Sequence, residues 1–178
     1  FVDPDEFSLY SKKLAAGEAT LSEVVRKAYD GASAKLLPEM LEYVKGVAMR
    51  PGFDTFLDTC EALGIGVVVI SGGARQAPYE GRLLGIHAAS LTVCDDALHL
   101  ESSFDDGNEL VKKTAVMALY DYDRSIGIGD SFTDCNMAQA ADRVFARDVL
   151  AKFLTKKDIP FTPFEDFYTV ADAIRSSR

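Results

Sequence analysis

The sequence predicts an α/β layered fold with a mostly parallel sheet, joined to a small all-helical lobe. Two observations predict it. From Asp5 to about Ala48 the periodicity is helical throughout, with no β-branched run able to make a buried strand. Beyond Arg50-Pro51-Gly52 short apolar runs alternate with amphipathic stretches, the pattern of a sheet covered by helices. The boundary falls near Ala48, giving a helical lobe over 1–48 and an α/β core over 49–178.

Taken in order, the lobe carries a T-x-x-E capping box at Thr20 and Glu23, ahead of Val24, Val25 and Ala28. A further helix is expected from Pro38 to Val47, with Met40, Leu41 and Val44 on one face, and Gly17 and Gly31 punctuate the stretch. Phe53 to Leu63 reads as an amphipathic helix closed by Gly64. Ile65 to Ile70 is a continuous apolar run of the kind found in buried parallel strands. Strands are expected again at Ser90–Cys94, Ala97–Ser102, Ser125–Ile128 and Arg143–Phe145. Helices are expected at Glu109–Tyr120 and Phe132–Ala141.

Composition narrows the function. The 178 residues carry 48% hydrophobic and 26% charged side chains, ordinary for a globular protein with one sizeable core. A net charge of −9 repels nucleic acid and anionic membranes, so neither is an expected partner. Cys60, Cys94 and Cys135 are odd in number and lack C-x-x-C spacing, which implies reduced thiols and no zinc site. No stretch reads as a signal peptide or is long enough to span a bilayer, so a cytoplasmic protein is expected.

In open parallel sheets ligands bind beyond the carboxyl ends of the strands, so the residues after each apolar run carry most information. After Ile70 come Ser71, Gly72 and Gly73, a hydroxyl followed by freely approachable backbone N–H groups suited to a phosphate oxygen. The same residues also make a plain strand-to-helix turn. After Ile128 come Gly129, Asp130, Ser131, Phe132, Thr133 and Asp134, which put two carboxylates four residues apart at a strand end. Such hard oxygen ligands suit Mg²⁺, which takes few carboxylates and keeps several waters. The alternative is that Asp130 or Ser131 merely caps the next helix. Between these stretches Lys112 and Lys113 lie where an ammonium can reach a phosphate and balance the carboxylates. His87 and His99 have no partner at ligand or triad spacing and read as structural or surface residues.

The order of these signals resembles the haloacid-dehalogenase-like superfamily, and the helical lobe before Ala48 sits where its phosphoserine-phosphatase-like branch inserts a cap. Arg50-Pro51-Gly52-Phe53, Val144-Phe145-Ala146-Arg147-Asp148 and Pro163-Phe164-Glu165-Asp166-Phe167-Tyr168 are similar to the methionine-salvage phosphatases of that branch. The resemblance implies a Rossmann-like three-layer parallel sheet with a small helical cap. It also implies Mg²⁺-dependent hydrolysis of a small phosphorylated metabolite through an aspartyl-phosphate. By position, Ser71 would hydrogen-bond the transferring phosphoryl group and Lys113, with Lys112 as neighbour, would stabilise its charge. Asp130 would hold the metal, with Asp134 as its supporting acid.

The superfamily's first motif, D-x-D-G-T at the end of a buried strand, does not occur. Asp3-Pro4-Asp5 has the spacing, but only Phe1 and Val2 precede it, and Glu6 and Phe7 replace the Gly and Thr. The missing strand would lie between those ending at Ile70 and Ile128, and without it two apolar strands keep unpaired backbone groups. The expectation is therefore that the natural protein has roughly 20 or more further residues upstream, which supply that strand and the nucleophile. The competing expectations are an inactive relative serving as a binding or regulatory module, and a phosphotransferase or isomerase of the same superfamily.

Overall fold

The computed structural model describes residues 4–27, 29, 32–74 and 80–177, so Asp3 lies outside the described residues. Two compact units divide the chain: Phe1–Ala48, Val69–Glu80 and Gly85–Lys112 form one, and Met49–Val68, Gly81–Leu84 and Lys113–Arg178 the other.

The first unit begins with three α-helices, α1 (Pro4–Ala16), α2 (Leu21–Lys27) and α3 (Leu37–Gly46). The capping box at the start of α2 forms as expected: Glu23 accepts from the Thr20 amide at 2.6 Å, and Thr20 accepts from the Glu23 amide at 3.2 Å. Two first-turn amides are satisfied in this way before any tertiary contact is made. The helices are followed by a sheet in the order β1 (Val68–Ala74), β2 (Gly85–Cys94) and β3 (Ala97–Glu101). The pair β2–β3 is antiparallel, from Ser90 opposite Glu101 to Cys94 opposite Ala97. Asp95 and Asp96 make the two-residue turn with φ of 49° and 59°, the left-handed pair that a type I′ hairpin needs. A D-D dipeptide lacks the glycine that usually flags this turn, so the sequence does not announce the hairpin. Val24, Ala89, Leu98, Leu100, Leu110 and Val111 supply the buried apolar side chains of this unit. Arg26 of α2 locks onto it by donating to the Leu100 carbonyl and pairing with Asp105 at 2.5 Å.

In the second unit α4 (Phe53–Ala62) ends at Gly64, whose φ of +67° lets the chain leave the helix. The Ile65 amide then donates to the Cys60 carbonyl at 2.8 Å and the Gly64 amide to Glu61 at 3.1 Å, consuming two carbonyls that would otherwise be orphaned. A parallel sheet follows in the order β4 (Ile126–Gly129), β5 (Arg143–Ala146), β6 (Thr162–Pro163). Its register sets Ile126 against Arg143 and Phe145 against Thr162. The helices around it are α5 (Lys113–Met117), α6 (Cys135–Ala140), α7 (Asp148–Lys156) and α8 (Phe167–Arg175). Ala138, Val144, Ala146, Leu150 and Leu154 form its core, with Cys135, Ala141, Phe153, Ile159 and Phe161 packed around them. Each fully buried leucine there contributes on the order of 2 kcal/mol.

The expected α/β class therefore holds, with two changes of detail. The parallel expectation is met by β4–β6, β2–β3 is antiparallel, and β1 and β4 belong to different sheets. The helix expected at Glu109–Tyr120 contracts to α5, because Asp106 accepts from the Asn108 and Glu109 amides and the Lys112 amide donates to the Phe104 carbonyl. Those bonds hold residues 106–112 in a loop that competes with the helix.

Candidate active site

The site is built where β4 ends. Its last residue, Gly129, is followed by Asp130 and Ser131, and a short 3₁₀ turn at Phe132–Asp134 leads into α6. Ser131 caps that turn in a reciprocal box with Asp134, so the capping alternative read from the sequence is true of Ser131. Asp134 is buried and only 5% exposed. One of its carboxylate oxygens accepts from the amides of Asp130 at 2.9 Å and Ser131 at 2.8 Å, and from the Ser131 hydroxyl at 3.1 Å. The other accepts from the ammonium of Lys113, also 5% exposed, at 2.5 Å.

Burial alone would raise the Asp134 carboxyl. The Lys113 charge and the hydrogen bonds from Lys113, Ser131 and Asp130 outweigh it and hold the group below the usual carboxylate range. A buried ion pair is tolerable only when hydrogen bonds replace the lost water, and this one has that replacement. Asp134 is thus a rigid anchor that fixes the Lys113 ammonium and the backbone at Asp130. Its Oδ2 takes the three bonds from Asp130 and Ser131, and its Oδ1 takes the Lys113 ammonium.

Gly129 is what lets this cluster close. A Cβ there would stand 2.6 Å from the Asp134 Cγ and 2.7 Å from its Oδ2, closer than atoms pack. Gly129→Ala is expected to lower stability by about 2 kcal/mol through overpacking, a fall in Tm of several degrees by calorimetry.

Asp130 is different: its side chain is 49% exposed, and Arg50 approaches it at 3.7 Å. Its carbonyl accepts from the amides of Val149 and Leu150, each at 3.1 Å, which pins the strand end to the first turn of α7. Among the described residues no three His, Cys, Asp or Glu side chains converge to hold a metal. Mg²⁺ does not require them, since one or two carboxylates suffice when waters and substrate phosphate oxygens complete the shell. Asp130, half-open at the strand's carboxyl end, fits that role as a single protein carboxylate.

Of the two candidate lysines, Lys113 faces Asp134, whereas Lys112 pairs with Asp106 at 2.9 Å. That Asp106 carboxyl is lowered to about 2, first by the Glu109 amide and then by Lys112. Ser71, Gly72 and Gly73 lie within β1, which runs on to Ala74, and do not form a strand-to-helix turn. They belong to the first unit, and Lys113, Asp130 and Asp134 to the second. His87 packs edge-to-face on Phe104, ring centroids 5.4 Å apart, a structural role as expected.

Reasoning from sequence overlooked Arg50 and Arg147. Both donate to the Glu165 carbonyl, at 3.4 Å and 3.0 Å, and Arg147 also holds Asp148 at 2.7 Å. Their stretches carried the family resemblance, but an arginine alone does not announce its partner, which lies 115 residues away for Arg50 and 18 for Arg147.

Comparison with known proteins shows what the chain as a whole resembles. The chain is 30% identical over 177 residues to a 2-hydroxy-3-keto-5-methylthiopentenyl-1-phosphate phosphatase of Microcystis aeruginosa, covering 95% of this chain and 84% of that protein. It is 29% identical over 181 residues to the Bacillus cereus protein of the same name, with 94% and 82% covered. Among solved structures, a phosphoserine phosphatase from T. onnurineus superposes with a TM-score of 0.69 at 18% identity, over 98% of this chain and 81% of that one. A substrate-bound phosphoserine phosphatase gives 0.67 at 19%, over 94% and 84%. These structural likenesses establish the fold. No family model matches the chain.

Proposed function

The chain belongs to the haloacid-dehalogenase-like phosphatases, hydrolases of small phosphorylated metabolites, and from that premise we propose a Mg²⁺-dependent phosphomonoesterase acting on 2-hydroxy-3-keto-5-methylthiopentenyl 1-phosphate. The observation that carries the reading is the division of labour between two carboxylates: Asp134 is consumed by Lys113 and three hydrogen bonds, and Asp130 is left open. The substrate assignment follows the names of relatives that match nearly the whole chain. Nothing in the comparisons favours the inactive binding module.

In this reading each residue has one task. Lys113, locked by Asp134, presents a fixed positive charge to the phosphoryl oxygens, so no reorganisation is needed as charge shifts during transfer. The family resemblance gives the Ser71 hydroxyl and the Gly72 and Gly73 amides a phosphate-binding role. Asp130 holds Mg²⁺, which when bound neutralises phosphate charge and orients the group. Residues 1–48 act as the cap that excludes bulk water. The D-x-D-G-T motif of the family's attacking carboxylate does not occur in the sequence, and that role is given to none of its residues. The protein is read as cytoplasmic; among the described residues no helix is long and apolar enough to cross a membrane.

The test is competition between substrates. With Mg²⁺ present, kcat/KM for the methylthiopentenyl phosphate is expected to exceed that for phosphoserine by at least about a hundredfold, the discrimination a fitted pocket supplies. Equal values for the two, or preference for phosphoserine, would remove the substrate assignment.

A further inference from the structure

Arg50 stands immediately before the turn that starts α4, and its guanidinium, about one-third exposed, reaches Asp130 at 3.7 Å. Its other terminal nitrogen donates to the Glu165 carbonyl at 3.4 Å. Arg147 donates to the same carbonyl at 3.0 Å and lies 3.6 Å from the Glu165 carboxylate. Burial would lower Arg147, but its hydrogen bond to Asp148 dominates and raises it, with Glu165 and Asp130 adding to the pull. Two arginines thus converge on one backbone carbonyl beside the open carboxylate, and the Asp130 charge is already partly compensated. An ion pair as exposed as Arg50–Asp130 adds about 1 kcal/mol or less to stability, so its presence is not explained by folding.

Two cations cannot share one carboxylate without repelling each other. We propose that Arg50 is a counter-ion that competes with the divalent cation for Asp130 and makes cation loading depend on the arrival of the phosphorylated substrate. The inference rests on Asp130 being the cation's carboxylate. A dication beside Asp130 meets the fixed positive charge of Arg50, and that excess is relieved when an anion enters with it. Arg50 is then released to donate its N–H groups to the incoming anion, since the guanidinium has five donors and among the described residues donates one hydrogen bond, to the Glu165 carbonyl. By linkage, the cation and the anion each tighten the binding of the other by the same factor. The device keeps the cation weakly held until there is something to hydrolyse.

The experiment measures Mn²⁺ affinity on the protein by titration calorimetry, with and without inorganic phosphate. Wild type is compared with Arg50→Gln, Arg50→Lys and Asp130→Asn. Without phosphate, Arg50→Gln is expected to bind Mn²⁺ about tenfold more tightly than wild type, the effect of removing a unit charge a few ångströms from a dication in a solvent-rich site. Arg50→Lys keeps the charge and stays within about threefold. Phosphate tightens Mn²⁺ more in wild type than in Arg50→Gln, and 0.5 M NaCl narrows the gap between them by screening. Unchanged or weaker Mn²⁺ binding in Arg50→Gln, with binding still lost in Asp130→Asn, overturns the competition while leaving Asp130 as the metal ligand. Mn²⁺ binding that ignores Asp130→Asn overturns the assignment of Asp130, and the inference with it.

Discussion

Lys113→Met is expected to lower turnover by about a thousandfold and to destabilise the protein by about 3 to 5 kcal/mol at neutral pH. The catalytic part follows from losing a preorganised cation at the transferring phosphoryl group, where removing one fixed donor costs about 10²–10³. The stability part follows from what remains. Methionine keeps the apolar stem, so little packing is lost, but the Asp134 carboxylate stays buried with only hydroxyl and amide donors. Breaking one side of a buried pair costs far more than the pair's net worth, because it leaves an uncompensated charge. The pH dependence has a definite sign. In wild type the Asp134 carboxyl is lowered, so the stability it supplies is present above its unfolded value and lost as pH falls through the lower folded one. In the variant burial acts without its main opponent, and the carboxyl shifts upward. The difference between the two proteins is therefore largest near pH 7 and shrinks toward pH 3. Urea denaturation at both pH values measures it; an equal loss at both would mean that the ion pair is not its source.

Asp130→Asn is expected to behave in the opposite way. The side chain is half-exposed and its pairing with Arg50 is a weak surface ion pair, so stability should change by no more than about 0.5 kcal/mol. The amide keeps the shape but is a poor ligand for a hard dication, so Mg²⁺-dependent phosphate release should fall by about a thousandfold or more. A variant with wild-type Tm and no metal response separates binding from folding. Two acids four residues apart thus carry opposite costs: one mainly in stability, the other wholly in chemistry.

That contrast was only half legible in the sequence. G-D-x-x-x-D at the end of an apolar run announces acids at a strand end, and the capping box at Thr20 and Glu23 announces the start of α2; both are local signals. Which carboxylate is consumed and which stays open depends on Lys113, 21 residues from Asp134, and no spacing rule encodes that meeting. Arg50 and Arg147 were invisible for the same reason, since both converge on a backbone carbonyl at Glu165. The antiparallel β2–β3 pair was missed because left-handed aspartates stood in for the expected glycine. In β1 the strand runs past Ile70 through Ser71, Gly72 and Gly73 to Ala74, although glycines usually weaken a strand. Local chemistry, in short, reads well from residue types, and long-range pairing does not.

The most direct test is inorganic phosphate release from the methylthiopentenyl phosphate by the protein, stripped with EDTA and then resupplied with Mg²⁺. Wild type is run beside Asp130→Asn, with folding of both checked by circular dichroism. The account predicts that release stops with EDTA, returns with Mg²⁺ in wild type and does not return in the variant. Release that persists in EDTA, or that Mg²⁺ restores equally in both proteins, would contradict it.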